Sequence, residues 1–285
     1  MMTNPDNVHT VTYSTGPAPE LALDIYPPTG PNRRIAVLIL HGGGWRHGSK
    51  DYVAHQALTL AAAGFTAIAV QYRLLDVAPW PAPFDDASAA LDWTRANAGQ
   101  LDVNPDWTVV QGHSAGGHLA LMTGTLDPGR RPSAIVAFYP PIGFHRAGPP
   151  PAPDPTRPPE IELDTLGRVP GWMLLPPEAT DAELDTASPY ALIEPGFPST
   201  LLHHGTDDTY VHPRSSLALH QKLLEHGVHS ELHTYTGRGH NFDVAPNLTR
   251  LTATITESFI ARTVIDPAAD AADAAQYAFP PRIPA

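Results

Sequence analysis

The 285-residue sequence contains no cysteine. This absence excludes disulfide bonds, thiolate metal sites and a cysteine nucleophile, and it leaves the redox compartment open. Basic residues are also few, because 17 lysines and arginines stand against 29 acidic residues and give a formal net charge of −12. Such a balance argues against nucleic acid and against an anionic membrane surface as partners.

Long apolar runs and targeting segments are absent as well. No apolar run approaches the roughly 18 residues that a membrane-spanning helix needs. The N-terminal segment, MMTNPDNVHTVTYSTGP, has neither the basic region nor the apolar core of a secretory signal, so we expect a cytoplasmic protein. The 15 histidines are scattered and form no metal-ligand motif. Neither a metal nor another cofactor is therefore expected.

Short apolar runs alternate with helical patterns along most of the chain. Residues 35–40 and 134–139 are apolar throughout and residues 65–72 are mainly apolar, as expected for parallel strands covered on both faces. Further strands are predicted at residues 200–204 and 231–235, and helices at about residues 51–63, 85–98, 215–226 and 248–264. An alternating segment at residues 8–26 predicts an edge hairpin. The pattern predicts an α/β fold, with a mostly parallel twisted sheet and helices on both faces, as a single domain over residues 1–265.

Two segments depart from this alternation. Residues 141–187 are rich in proline and have little periodicity, which predicts a cap-like insertion with one short helix near residues 177–184. Its apolar residues, Trp172 and Met173 among them, are expected to wall a substrate pocket, and packing into the core is the alternative. Residues 266–285 form an Ala/Pro-rich tail in which partial disorder is expected.

The stretch Gly112-His113-Ser114-Ala115-Gly116 joins a predicted strand at residues 107–110 to a helical pattern. A G-x-S-x-G sequence between a strand and a helix is typical of a nucleophile turn, in which the serine backbone is strained and glycines leave room around it. The hydroxyl would stand at a helix N-terminus, where the helix dipole favours an anion. Ser114 is therefore the candidate nucleophile, and an ordinary glycine-rich turn is the alternative.

A serine nucleophile needs a base, and the base needs a carboxylate to orient it. In hydrolases of this alternating architecture the acid and then the histidine follow the serine in the chain. Asp208 lies in a loop after a late predicted strand, and His240 lies in a glycine-containing loop after the last one. Their separation leaves room for one helix and one strand. Asp207, next to Asp208, is the alternative acid.

Acyl transfer also needs hydrogen-bond donors for the oxyanion of the tetrahedral intermediate. The backbone amide of Ala115, directly after the nucleophile, is one candidate. The stretch His41-Gly42-Gly43-Gly44-Trp45 follows another buried strand, and glycine permits close approach of the backbone to a substrate. Gly43 and Gly44 are therefore the other candidates, and a flexible turn is the alternative reading of these glycines.

As a set, HGGGW at residues 41–45, YRL at residues 72–74, GHSAGG at residues 112–117, the Asp208 turn and Gly239-His240 resemble the hormone-sensitive-lipase-like esterases of the α/β-hydrolase fold. Over about residues 20–265 the chain is similar to small bacterial esterases of the feruloyl and acetyl-xylan type. Many lipase-like members have aspartate before the serine. This chain has His113 instead, as do the feruloyl-esterase type and the kynurenine formamidases.

The resemblance implies further site residues. The family acid is the fifth residue of H-G-x-x-D, which counts from His204 to Asp208. Trp45 and His113 are expected at the substrate pocket.

The predicted function is a serine carboxylic-ester hydrolase that acts on small to medium acyl esters through an acyl-enzyme intermediate. An arylformamidase or another small-amide hydrolase that uses the same residues is the alternative. A non-catalytic binding protein of the same fold is the more distant alternative, because every catalytic role is filled here. The expected partner is a small ester, and the sequence is compatible with a homo-oligomer.

Overall fold

The structure, a computed structural model, describes residues 7–14, 20–148 and 161–277. Its centre is an eight-stranded sheet in the order β1-β2-β4-β3-β5-β6-β9-β10. The strands are β1 (His9–Ser14), β2 (Leu21–Tyr26), β3 (Ala36–Leu40), β4 (Thr66–Val70), β5 (Thr108–His113), β6 (Ala134–Phe138), β9 (Ser199–Gly205) and β10 (Ser230–Tyr235). A separate two-stranded sheet pairs β7 (Phe144–His145) with β8 (Val169–Pro170).

Six neighbouring strands of the large sheet run parallel to one another: β4, β3, β5, β6, β9 and β10. β2 is antiparallel to both of its neighbours, so β1 and β2 form the predicted edge hairpin. Every residue of β3, β4, β5 and β6 is buried, because helices cover both faces of the sheet. The mostly parallel, helix-covered sheet confirms the predicted α/β-hydrolase fold class.

The helices divide between the two faces of the sheet. They are α1 (Ala54–Ala62), α2 (Ala82–Ala96), α3 (Ala98–Leu101), α4 (Ala115–Thr123), α5 (Asp181–Thr186), α6 (Pro189–Leu192), α7 (Arg214–Glu225), α8 (Pro246–Ile260) and α9 (Pro267–Gln276). Side chains alternate along β3, so Leu38 and Leu40 pack with α2, α4 and α7, whereas Val37 and Ile39 pack with α1 and α8. The strand ends between these layers carry the loops described below.

The predicted insertion contains more regular structure than its sequence pattern indicates. Besides β7 and β8 it holds α5, the one helix that the sequence predicts, and α6 follows just after the predicted end of the insertion at residue 187. α5 begins later than predicted because Thr180 and Glu183 form a capping box, each side chain accepting a hydrogen bond from the backbone amide of the other residue. Residues 149–160 of the insertion lie outside the described residues.

The tail predicted to be partly disordered also begins with a helix, α9, whose first turn is capped by the side chain of Asp266. The remainder of that tail, residues 278–285, lies outside the described residues. In the described part of the chain, no helix combines the length and the apolar character needed to cross a bilayer.

Three buried histidines are expected to make the fold sensitive to mild acid. His41, His118 and His203 are each 0% exposed, and burial lowers the pKa of His41 and His118 to about 4 and that of His203 to about 3. In the unfolded chain a histidine titrates near pH 6.5. Between pH 6.5 and pH 4 the unfolded state therefore binds protons that the folded state does not. The free energy of unfolding therefore decreases as the pH is lowered through this range, by up to about 1.4 kcal/mol per pH unit for each histidine.

Urea unfolding at pH 7.0, 5.5 and 4.5 measures this dependence. The variant His118→Gln should show a shallower loss of stability because it removes one of the three groups. His9→Gln is the control, because His9 is exposed and its side chain has no hydrogen bond or ion pair among the described residues. A free energy of unfolding that stays constant over this range would contradict the expectation.

Candidate active site

Ser114 occupies a sharp turn between β5 and α4. Its backbone has φ +54° and ψ −118°, a region that residues other than glycine rarely adopt. The flanking glycines make the turn possible. A Cβ on Gly112 would lie 2.0 Å from the carbonyl oxygen of Gly116, and one on Gly116 would lie 2.1 Å from that of Leu40. The strain predicted from the sequence is therefore present at Ser114.

The structure brings Ser114, His240 and Asp208 together. His240 Nε2 lies 2.9 Å from Ser114 Oγ, and His240 Nδ1 lies 2.7 Å from Asp208 Oδ2. An ionised carboxylate can only accept, so Nδ1 carries the imidazole proton and Nε2 accepts from the serine hydroxyl. Asp207 is exposed, and its carboxylate accepts a hydrogen bond from the hydroxyl of Thr206. Of the two adjacent carboxylates, Asp208 is thus the one at His240.

The loop after β9 holds Asp208 as an ionised group. Asp208 Oδ1 accepts the backbone amides of Tyr210 and Val211 at 2.9 and 3.0 Å. Its Oδ2 faces His240 and, at 3.4 Å, His204 Nε2. Burial alone would raise the pKa of this carboxyl. The hydrogen bonds from His204, His240 and Val211 outweigh burial, so the pKa lies below the ordinary value.

The loop after β3 presents backbone amides beside the serine. Gly43 and Gly44 have φ of +123° and +60°, and both line the same cavity as Ser114 and Ala115. The carbonyl of Gly43 accepts the amide of Arg46, which closes the loop into a tight turn. The amides of Gly43, Gly44 and Ala115 donate to no acceptor within the described part of the chain. They are therefore available to an oxyanion formed at Ser114.

A cavity of about 530 Å³ opens over Ser114 and His240. Three of the predicted pocket residues, Trp45, Trp172 and Met173, line it. Its wall also contains residues that the sequence analysis did not assign to the pocket: Arg46, His47, Pro141, Ile161, Val169, Tyr210, Val211 and Asn241. Half of these are apolar (Pro141, Ile161, Val169 and Val211), and with Trp172 and Met173 they make a mainly apolar cavity that suits an apolar acyl or aryl group.

The apolar residues of the insertion have two roles, one in the cavity wall and one in the core. Trp172 and Met173 wall the cavity, whereas Phe144 and Leu174 are buried in the core that packs α2, α4 and α7 on the sheet. Both readings of the insertion therefore apply, each to different residues.

The prediction that His113 lines the pocket is wrong. Its side chain is 4% exposed, and its ring stacks on Phe138 with 4.5 Å between ring centroids. Gln111, two residues earlier on β5, faces the same side of the sheet and places its amide nitrogen 3.1 Å from His113 Nε2. This amide can only donate, so His113 Nδ1 bears the proton and donates to Asp243 Oδ2 at 3.0 Å. Alternation along β5 turns His113 away from the cavity.

Asp243 is a buried carboxylate near the site that the sequence did not reveal. Besides His113, it accepts hydrogen bonds from the Tyr139 hydroxyl at 2.5 Å and from the Gln56 side chain at 2.8 Å. Burial would raise its pKa, but the interactions with His113, Tyr139 and Gln56 hold the pKa below the ordinary value. The Tyr139 ring packs 4.5 Å from the ring of His240. Asp243 therefore ties the histidine loop to the end of the nucleophile strand.

The strand order, the serine turn after β5, and the acid and histidine after β9 and β10 define an α/β-hydrolase. The model of the BD-FAE family matches residues 23–223. The chain belongs to this family of feruloyl-esterase-like α/β-hydrolases.

Solved structures of an esterase from Thermogutta terrifontis are similar over nearly the whole chain. The native form of this thermophilic esterase, Est2, is 26% identical, covers 90% of this chain and 92% of its own, and superposes with a TM-score of 0.72. The form phosphonylated by sarin is 25% identical, covers 91% and 96%, and has a TM-score of 0.74. Family and structure together place the chain among the esterase-type α/β-hydrolases.

The chain is also similar to one segment of fungal non-reducing polyketide synthases. The trt4 protein of Aspergillus terreus is 28% identical over 84% of this chain, and ausA of Emericella nidulans is 38% identical over 47% of it. The matches span only 13% and 6% of those synthases. The similarity therefore concerns a small part of much larger proteins.

Proposed function

We propose that the protein is a serine carboxylesterase that hydrolyses small to medium acyl esters through an acyl-enzyme intermediate. The observation that carries this proposal is the hydrogen-bonded series from Ser114 through His240 to Asp208, with distances of 2.9 and 2.7 Å. Ser114 and His240 both line the mainly apolar cavity. The sarin-phosphonylated Thermogutta esterase supports a covalent nucleophile in a protein of similar fold.

In the proposed acylation step, Ser114 Oγ attacks the ester carbonyl and His240 Nε2 takes the serine proton. The carbonyl oxygen becomes an oxyanion, which accepts hydrogen bonds from the amides of Gly43, Gly44 and Ala115. Asp208 keeps the proton on His240 Nδ1 and stabilises the imidazolium that forms. His240 then protonates the leaving alcohol as the C–O bond breaks.

Deacylation repeats these steps with water in place of the serine hydroxyl. His240 Nε2 takes a proton from water, the resulting hydroxide attacks the acyl-enzyme, and Ser114 leaves with that proton. The same donors hold the second oxyanion. The carboxylic acid product is released and the site returns to its starting state.

Trapping with hydroxylamine tests the acyl-enzyme. Phenyl acetate and p-nitrophenyl acetate share one acyl group but have different leaving groups, so a common acetyl-enzyme must give the same ratio of acetohydroxamate to acetate from both. Ratios that follow the leaving group would contradict the proposal. N-formylkynurenine serves as the amide comparison: a higher kcat/KM on it than on phenyl acetate would identify a formamidase instead.

A further inference from the structure

A second cavity, of about 430 Å³, adjoins the active-site cavity, and the two share Arg46 and Trp172 in their walls. The rest of its lining is apolar and consists of Leu75, Pro79, Leu174, Leu175, Pro176 and Pro177. Arg46 follows Gly44 by two residues, on the loop that presents the oxyanion donors. A substrate that fills the first cavity and continues into the second must therefore pass this guanidinium.

The side chain of Arg46 is exposed and has no protein partner in the described ranges. Among the lysines and arginines of those ranges, only Arg238 and Arg250 also lack a hydrogen bond or ion pair from the side chain. No aspartate or glutamate is found in the described lining of either cavity, although the chain has 29 acidic residues against 17 basic ones. As far as the described residues go, the junction therefore offers a cation with no acidic partner.

Guanidinium chemistry limits what this cation can recognise. Arginine stays protonated at any physiological pH, and its planar donors match a carboxylate in a bidentate arrangement. The surrounding walls are apolar, so the group that reaches Arg46 must be carried on an apolar chain. A carboxylate at the end of, or along, an aliphatic or aryl chain meets both conditions.

The position of Arg46 also indicates which half of the ester approaches it. His240 protonates the leaving alcohol, so the alcohol half must start beside His240 and the adjacent Tyr210 and Asn241. The second cavity contains none of these three residues. It adjoins the first cavity at Arg46 and Trp172 instead. The acyl half is therefore the part of the substrate that extends toward Arg46.

We propose that the preferred substrates are half-esters of dicarboxylic acids, in which one carboxyl group is esterified and the other is free. The ester carbonyl lies at Ser114, the apolar spacer lies along Trp172, and Arg46 binds the free carboxylate. Longer or substituted spacers extend into the second cavity. This inference rests on the proposed serine-esterase function and adds its substrate class.

The test compares monomethyl esters of C6 to C10 dicarboxylic acids with methyl esters of monocarboxylic acids of the same length, by pH-stat titration. The wild type should favour the half-esters. A charge-assisted hydrogen bond contributes about 1.5–3 kcal/mol, so Arg46→Gln should lower kcat/KM on the half-esters by roughly 10- to 100-fold. The loss on the half-esters should exceed any loss on the neutral methyl esters of the same length by that factor, because only the half-esters lose a charged partner for their carboxylate.

Arg250→Gln is the matched control. Arg250 is also unpaired in the described ranges but lies on α8, outside the lining of both cavities, so its removal should change neither substrate series. Raising the salt from 0.02 to 0.5 M should weaken the wild-type preference for half-esters through screening. Leu175→Trp should lower kcat/KM for the C10 half-ester more than for the C6 half-ester, because the larger ring occupies the second cavity.

Three results would overturn the inference. One is an Arg46→Gln variant that loses activity equally on charged and neutral esters, and another is a variant that loses it on neither. The third is a loss of kcat/KM in Arg46→Gln that occurs only with acetate esters of ω-hydroxy acids, which carry the carboxylate on the alcohol half. In each case hydrolysis of neutral methyl esters and a constant hydroxamate ratio would leave the serine-esterase function intact, so the two proposals fail separately.

Discussion

Ser114→Ala is expected to lower kcat for p-nitrophenyl acetate by roughly 10⁶-fold, the size of effect measured when the nucleophile of another serine hydrolase is removed. The variant lacks the atom that attacks the carbonyl, and Ser114 carries the only aliphatic hydroxyl in the described lining of the cavity. Folding should be retained, because the hydroxyl of Ser114 bonds only to His240 in the described part of the chain. Steady-state kinetics together with a urea unfolding curve separate the two effects.

Covalent labelling gives the same prediction a second measurement. An organophosphonate should add one group to the wild type, on the peptide that contains Ser114, and none to Ser114→Ala. Ser133→Ala is the matched control: Ser133 Oγ bonds backbone groups of Asp106 and Thr108, away from the cavity, so this variant should keep both the adduct and the activity. An adduct on any other serine would contradict the assignment of the nucleophile.

The fold was predictable from the sequence because its strands are short, apolar and buried on both faces. Strands such as β3 and β6 carry no polar residue, so both of their faces need to be covered, as they are in a parallel sheet between two layers of helices. The serine turn was predictable for a local reason. Glycines on both sides of Ser114 are required by contacts within a few residues and with the adjacent strand, and the sequence displays them directly.

The parts of the site that depend on distant segments were not predictable in this way. The face on which His113 lies follows from the register of β5, and one residue of difference reverses it. Asp243 becomes part of the site only because Gln56, Tyr139 and His113 converge on it from three other elements. The role of Arg46 can be inferred only from the structure, in which its side chain has no partner among the described residues and lines both cavities.

Asp208→Asn is expected to lower kcat by up to about 10⁴-fold, as when the orienting aspartate of a serine protease is replaced by asparagine. The structure supplies a specific reason. The position of Asp208 Oδ1 accepts two backbone amides, from Tyr210 and Val211, so the carbonyl oxygen of an asparagine must occupy it. The NH₂ group then faces His240 and donates to Nδ1. The imidazole proton moves to Nε2, which can no longer accept the proton of Ser114.

Asp207→Asn is the matched control, because it makes the same chemical change one residue away. Asp207 is exposed, and among the described residues its carboxylate accepts a side-chain hydrogen bond only from the Thr206 hydroxyl. It therefore contacts neither Ser114 nor His240. Because Asp207→Asn removes no interaction with the transition state, it should lower kcat by less than about tenfold. Urea unfolding of both variants checks that each is folded when assayed. A larger loss for Asp207→Asn than for Asp208→Asn would assign the orienting role to Asp207 and would require the loop after β9 to be one residue out of its present register.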